Sequence, residues 1–283
     1  MVCGTERIFS VLHNASGTGK TRLVIEGLSH RWGFYILASE GAEGEGSYDL
    51  PTLLDLTLAA LPGWCRTLPP PSHPRYQALV ERNQALASHA FTCVIIARLL
   101  LLKEFLNIAI AEEGTLRPSH IKWWLHCQLD PARVFNVDIF QYCVELVLST
   151  AAPDALRFFS SVYDEICTIL RTQGLPDTLY CVLDEAQVAL GAMPECFEET
   201  ALRDIIRSWA NLLPDLQFVV VGTTPAISRI CRTSGTLMEW HVVNNTGGFD
   251  DPSVQAAYVR RYVPPSLIPD GLMALIWKWL RGR

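Results

Sequence analysis

The chain has 283 residues, of which 49% are hydrophobic and 18% charged, a composition that supports a sizeable core and excludes an intrinsically disordered protein. Its formal net charge of −6 argues against a general nucleic-acid binder, because contacts to phosphates need a basic surface. The nine cysteines form no C-x-x-C pair, and most lie in apolar runs. We therefore expect reduced core cysteines, no zinc site and an intracellular protein, cytoplasmic or nuclear.

Neither the N-terminus nor the most apolar segment predicts a membrane protein. MVCGTERIFSVL lacks the basic flank and the long apolar stretch of a signal peptide. FTCVIIARLLLLKEFLNIAI, residues 91–110, carries Arg98, Lys103 and Glu104 near its middle, which a helix in lipid tolerates poorly. We expect a long helix buried in protein, with no signal peptide and no transmembrane segment.

The first elements in chain order predict a βαβ unit. IFSVL, residues 8–12, is typical of a short strand, and a glycine-rich stretch follows it at once. TRLVIEGLSHRW, residues 21–32, places its apolar residues on one helical face, with Gly33 as the helix stop. FYILAS, residues 34–39, is a second strand-like run, so the unit implies a parallel sheet with a right-handed crossover.

The middle of the chain is predicted to be mostly helical. GAEGEGSYDLP, residues 41–51, indicates a loop, and LPPPSHPR, residues 68–75, a proline-rich break. Residues 78–113 are long enough for two helices. DIFQYCVELVLST and DALRFFSSVYDEICTILRTQG predict one helix each, the second closed by Gly174.

The strand pattern returns in the last third of the chain. LYCVLDE, residues 179–185, is an apolar strand that ends in two carboxylates, and residues 199–214 form a helix. QFVVVGTT, residues 217–224, has the continuous valines of a central parallel strand, and residues 238–245 suggest a weaker last strand. The tail predicts helix, break and helix, and the final helix still runs at Arg283. The side chains predicted to point inward from the helix at 199–214 are Leu202, Ile205, Ile206 and Trp209.

These elements predict an α/β fold, a sheet of parallel strands flanked by helices, with a large helical insertion between strands 2 and 3. We expect a single domain over residues 1–283. Its predicted parts are the βαβ unit in 1–60, the helical insertion in 61–176, the rest of the core in 177–250 and the start of a truncated helical lid in 251–283.

The stretch SGTGKTR, residues 16–22, has the pattern of a phosphate-binding loop (Walker A) that runs into a helix. Backbone N–H groups of such a loop surround the β-phosphate, and the helix adds the positive end of its dipole. Lys20 is expected to reach the β- and γ-phosphate oxygens of ATP, and the Thr21 hydroxyl to ligate Mg²⁺. The remaining predicted cofactor-binding residues are Ser16, Gly17, Thr18, Gly19 and Arg22.

One position departs from the consensus G-x-x-x-x-G-K-[ST], because its first glycine would fall on Asn14. Asparagine is among the few non-glycine residues that tolerate a positive φ at modest cost. We therefore expect the loop to be intact.

Two strand ends supply the acidic and polar groups that hydrolysis needs. We expect Asp184 to contact a magnesium-bound water and Glu185 to polarise the attacking water (Walker B). Two acids that cap a helix are the simpler alternative for this pair. Thr223 or Thr224 would lie at the carboxyl end of its strand, where it could touch the γ-phosphate. The candidate arginine fingers, for which solvated charge is the alternative, are Arg203, Arg207, Arg229 and Arg232.

SGTGKTRLVIEGLSHRWGFYI, LDEAQ, VVVGTT, GFDDPSVQAAYVRRYVPPSL and WKWLRGR together resemble the NTPase domain of Crinkler-type proteins, which are common in fungi and oomycetes. The resemblance covers both ends of the chain and, more loosely, the helical middle. It implies an AAA-like, STAND-related P-loop domain, often joined to a downstream nuclease-like domain. By motif, Lys20 and Thr21 match the nucleotide lysine and the magnesium threonine, and Asp184 and Glu185 match the acidic strand end.

Three functions follow from these observations. The first is an ATP-binding and ATP-hydrolysing domain that acts as a nucleotide-dependent switch, with Mg²⁺ as cofactor, and that regulates a downstream effector domain. The second is a nucleotide-binding interaction module with little or no hydrolysis, which self-associates or binds a protein partner. The third, suggested by DEAQ, is a helicase, but the roughly one hundred residues after Glu185 leave little room for a second RecA-like lobe.

Overall fold

The computed structural model describes residues 8–14, 19–40, 46–149, 152–213, 216–223, 226–227, 239–243, 251–260 and 263–280. They form an α/β fold around a five-stranded sheet in which every strand pair is parallel, with the order β2-β3-β4-β1-β5. The prediction of a parallel sheet flanked by helices is confirmed. The strands are β1 (Ile8–His13), β2 (Gly33–Leu37), β3 (Tyr180–Asp184), β4 (Gln217–Gly222) and β5 (Glu239–Val243).

Helices connect the strands and cover the sheet. Those before β3 are α1 (Lys20–Leu28), α2 (Asp49–Thr52), α3 (Leu58–Ala60), α4 (Tyr76–Glu113), α5 (Pro118–Leu129), α6 (Pro131–Phe135), α7 (Ile139–Leu148) and α8 (Ala152–Thr172). A π-helical turn, Leu53–Thr57, joins α2 to α3. After β3 follow α9 (Ala186–Gly191), α10 (Ala201–Leu212), α11 (Pro252–Val259), a 3₁₀ turn (Pro265–Leu267) and α12 (Asp270–Leu280).

The two faces of the sheet carry cores of different size. On one face α4, α8, α9 and α10 pack into a large apolar cluster that includes Phe34, Phe218 and Trp209. On the other face α1 contributes Val24 and Leu28 to a smaller cluster. The four side chains predicted to point inward from α10 are all buried, which confirms that prediction.

Helix α4 is continuous over 38 residues, so the prediction of two helices in this segment is wrong. Its sequence contains no glycine or proline, and the helix ends at Gly114, whose φ of 73° is left-handed. Among the described residues, this helix alone is long and apolar enough to cross a membrane. Of its most apolar window, 67% is buried inside the protein, as expected for a core helix.

The buried side chain of Arg98 joins α4 to α2 through an ion pair and to the sheet through a hydrogen bond. Nη2 of Arg98 lies 2.7 Å from Oδ2 of Asp49, and both side chains are fully buried. The same guanidinium donates through Nη1 to the backbone carbonyl of Tyr35 in β2, at 2.9 Å, and to Oε1 of Gln128, at 3.3 Å. Its carbon lies 4.6 Å from the ring centroid of Phe140. The charge in the middle of the apolar segment is therefore compensated inside the fold.

Two local predictions in this region are corrected. Residues 41–51 were expected to be a loop, but a helix begins at Asp49, where the Ser47 hydroxyl accepts from the Asp49 amide. Gly33 is the first residue of β2 and does not stop a helix, since α1 ends at Leu28. A Cβ at Gly33 would lie 2.3 Å from the carbonyl oxygen of Tyr180, so glycine is needed there for close strand approach.

We expect Arg98→Ala to lower the free energy of unfolding by about 3–5 kcal/mol, because it leaves the Asp49 carboxylate buried without its cation. Urea denaturation followed by circular dichroism measures this change. Arg133→Ala is the matched control, since the Arg133 side chain is 85% exposed and lies 3.9 Å from Asp130. The control should change stability by less than about 0.5 kcal/mol. Equal effects of the two variants would show that the buried pair is dispensable.

Candidate functional site

Three strand ends meet at the carboxyl edge of the sheet. Strand β4 lies between β1 and β3, so its last residue, Gly222, separates His13 from Asp184. The amide of Asn14 approaches the carbonyl of Gly222 at 3.4 Å, and the amide of Ala38 donates to the carbonyl of Asp184 at 3.0 Å. Because neighbouring strands lie about 4.8 Å apart, the ends of β1 and β3 are about 10 Å from each other.

The lysine of the predicted phosphate loop lies at this edge. Gly19 is the N-cap of α1 with a left-handed φ of 80°, and a Cβ there would meet no atom of the described residues within 4 Å. Glycine is therefore required by the backbone conformation. Lys20 is buried, and its Nζ donates to the backbone carbonyl of Asn14 at 2.9 Å, which joins the start of α1 to the residue after β1. Of the other predicted loop residues, Ser16, Gly17 and Thr18 lie outside the described residues.

Asn14 does not have the positive φ on which its predicted compatibility with the loop was based. Among the described residues, the non-glycine residues with a positive φ are Asn136, Glu185 and Met193, and Asn14 is not one of them. Asn14 uses its main chain, as acceptor for Lys20 and donor to Gly222. Any residue can supply these groups, so the departure from the consensus removes none of them.

The next two residues of the motif face outward. Thr21 and Arg22 are both exposed at the start of α1. The guanidinium carbon of Arg22 lies 4.8 Å from the ring centroid of Tyr258 in α11. This cation–π contact joins the first turn of α1 to the helix that follows β5.

Asp184 is held by two donors at the end of β3. Its side chain is buried, with the residue 1% exposed. Oδ1 accepts from the backbone amide of Glu185 at 2.8 Å, and Oδ2 accepts from the hydroxyl of Tyr35 at 3.1 Å. These two bonds fix the orientation of the carboxylate at the carboxyl end of β3.

Glu185 and Thr223 are joined by a residue that sequence reasoning missed. The side-chain amide nitrogen of Gln187 donates to Oε2 of Glu185, and its Oε1 accepts from the backbone amide of Thr223 at 3.1 Å. The structure thus brings together two predicted catalytic residues from neighbouring strands. Gln187 follows Glu185 by two positions in LDEAQ, which was a usable signal, whereas nothing in the sequence marks Tyr35.

The two arginine-finger candidates that lie in the described residues are each close to a carboxylate three or four positions away in sequence. Arg203 forms an ion pair with Glu199, and Nη1 of Arg207 lies 4.0 Å from Oδ1 of Asp204. Burial raises the pKa of Asp204 to about 6, and the nearby Arg207 opposes that shift. Arg229 and Arg232 lie outside the described residues.

The cysteines of the described part of the chain are free thiols, most of them buried. Burial raises the pKa of the Cys93 thiol to about 12, which disfavours the thiolate that metal binding needs. Within the described ranges, no group of three or more His, Cys, Asp or Glu side chains could hold a metal ion alone.

A scan against protein-family models and searches of curated proteins and solved structures found no match to this chain.

We expect Tyr35→Phe to lower the free energy of unfolding by about 1–3 kcal/mol, since it removes one donor from the buried Asp184 carboxylate. Urea denaturation measures the loss. Tyr142→Phe is the control, because Tyr142 is 56% exposed, and it should be nearly neutral. A stability of Tyr35→Phe equal to that of the control would mean that the phenol does not support Asp184.

Proposed function

We propose that this chain is an ATP-binding and ATP-hydrolysing P-loop domain that acts as a nucleotide-dependent switch. One observation carries the proposal: the buried Lys20 at the N-terminus of α1 faces the same sheet edge as Asp184 and Glu185, with Thr223 between them. A cation, a helix N-terminus and two carboxylates at the carboxyl ends of parallel strands form a favourable site for a magnesium triphosphate.

The residues present fit the nucleotide and its metal. No atom of the described residues lies within 4 Å of a Cβ built on Gly19, which suits the close approach of a phosphate to the helix N-terminus. Thr21 is exposed, and the hydroxyl oxygen of Thr21 and the carboxylate oxygens of Asp184 are hard donors of the kind that suits Mg²⁺. When bound, Mg²⁺ would neutralise negative charge on the β- and γ-phosphate oxygens.

Each side chain has a role in this proposal. Lys20 exchanges the Asn14 carbonyl for the β- and γ-phosphate oxygens of ATP. Glu185 accepts a proton from the attacking water. The oxygen of that water forms a bond to the γ-phosphorus, and the bond between the γ-phosphorus and the β–γ bridging oxygen breaks. Thr223 contacts the γ-phosphate from the end of β4.

The second candidate function is a nucleotide-binding interaction module with slow or no hydrolysis. The burial of Asp184, which is 1% exposed, favours it, because hydrolysis needs this carboxylate to reach a magnesium-bound water. Under either function we place the protein inside the cell, cytoplasmic or nuclear, since the described cysteines are free. Regulation of an effector domain, as in the Crinkler-type proteins that the chain resembles, and self-association are further proposals.

We expect Lys20→Ala to weaken ATP binding at least tenfold, because the loss of a charge-assisted contact costs about 1.5–3 kcal/mol. Titration calorimetry with MgATP measures the affinity. Asn14→Gly is the control and should change the binding free energy by less than about 1 kcal/mol, since Asn14 contributes main-chain groups. Unchanged affinity in Lys20→Ala would refute the phosphate-loop assignment.

We expect Glu185→Gln to keep ATP affinity and to lose turnover by a factor on the order of 10²–10⁴, because an amide is a poor base. Phosphate release and calorimetry on the same preparation separate the two effects. Hydrolysis at the wild-type rate would make Glu185 a structural acid. A wild-type chain that binds ATP without releasing phosphate would favour the interaction module.

A further inference from the structure

The side-chain amide of Gln187 spans the gap between the ends of β3 and β4. Its oxygen accepts from the Thr223 backbone amide, and its nitrogen donates to the Glu185 carboxylate. Since a backbone N–H can only donate and an ionised carboxylate can only accept, the two partners determine which way the amide points. A carboxamide is the group that offers both an acceptor and a donor at this separation.

The backbone around this amide leaves room for it. A Cβ on Gly222 would lie 2.7 Å from Oε1 of Gln187 and 2.2 Å from Cδ1 of Ile227. Glycine at the last position of β4 therefore allows Gln187 to reach the strand end. Any larger residue would push the amide away from Thr223.

Glu185 itself has an unusual backbone. Its φ of 54° and ψ of 33° are left-handed, a conformation that is strained for a non-glycine residue. This turn between β3 and α9 aims the Glu185 side chain toward Gln187 instead of continuing the strand. The carboxylate is thus oriented by two constraints, the turn and the amide.

We propose that Gln187 is a positioning residue that couples the carboxylate of Glu185 to the end of β4, so that a γ-phosphate bound beside Thr223 sets the orientation of the base. This inference rests on the proposed ATPase function and adds a residue to it. Because Gln187 acts through Glu185, its removal should affect turnover and leave nucleotide affinity nearly unchanged.

The first measurement separates turnover from binding. We expect Gln187→Ala to lower kcat about tenfold or more, with the Kd for MgATP within about threefold of wild type. Gln141→Ala is the matched control, because the amide of Gln141 donates to Glu145 at 3.2 Å on the exposed side of α7. The control should leave both quantities unchanged.

A second variant distinguishes positioning from support of the strand end. Gln187→Glu keeps an acceptor for the Thr223 amide but places a second carboxylate against Glu185. We expect Gln187→Glu to remain at least as impaired as Gln187→Ala. Recovery of wild-type turnover would show that Gln187 only satisfies the Thr223 amide, and would overturn the proposal.

A double-mutant cycle with Glu185→Gln tests whether Gln187 acts through the base. In that background, adding Gln187→Ala should change the residual rate by less than about twofold, because the group it positions is already gone. A further tenfold loss would overturn the proposal, as would a loss of ATP affinity that parallels the loss in kcat.

The failure of this inference is distinguishable from failure of the proposed function. A wild-type chain that does not bind MgATP refutes the function and the inference together. A wild-type chain that binds MgATP without turnover overturns the role of Gln187 and leaves nucleotide binding intact. Wild-type kcat in Gln187→Ala overturns the inference alone.

Discussion

The burial of one charge, that of Arg98, organises much of this structure. A guanidinium with no exposure to solvent requires an anion and further acceptors, and these come from separate parts of the chain. Asp49 is the first residue of α2, Gln128 comes from α5, and the carbonyl of Tyr35 comes from β2. Helices α2, α4 and α5 are therefore tied to strand β2 at one point in the protein interior.

The same point connects to the candidate site through Tyr35. The backbone carbonyl of Tyr35 accepts from Arg98, while its hydroxyl donates to the carboxylate of Asp184. The amide of Tyr35 in turn donates to Gln128 at 2.9 Å. One residue of β2 thus links the helical segment to the acid at the end of β3. A buried network of this kind is rigid when every member is satisfied, so the position of Asp184 depends on packing far from it in sequence.

Periodicity and strand composition predicted the elements that depend on local sequence. Apolar runs located the strands, and the spacing of Leu202, Ile205 and Trp209 identified the buried face of α10. Two of the errors arose where a distant contact decides the outcome. The helix that begins at Asp49 has Arg98 as its distant partner, and Gly33 is required by the carbonyl of Tyr180 across the sheet.

The candidate site also combines residues that local sequence predicts with residues whose contacts form only in the assembled sheet. Motif spacing identified Lys20, Asp184 and Glu185, because a strand followed by a turn places such residues at a sheet edge regardless of the rest of the chain.

Nothing in the sequence marks Tyr35, and LDEAQ places Gln187 beside Glu185 without showing its second partner, since these contacts exist only once β2, β3 and β4 lie side by side. The motif residues supply the charges of the site, and these two neutral side chains orient the carboxylates. In a buried site a hydrogen-bond donor that fixes a carboxylate also limits where a water or a metal can approach it. The orientation of the two carboxylates at this edge therefore depends on Tyr35 and Gln187, which lie outside the charged motif residues.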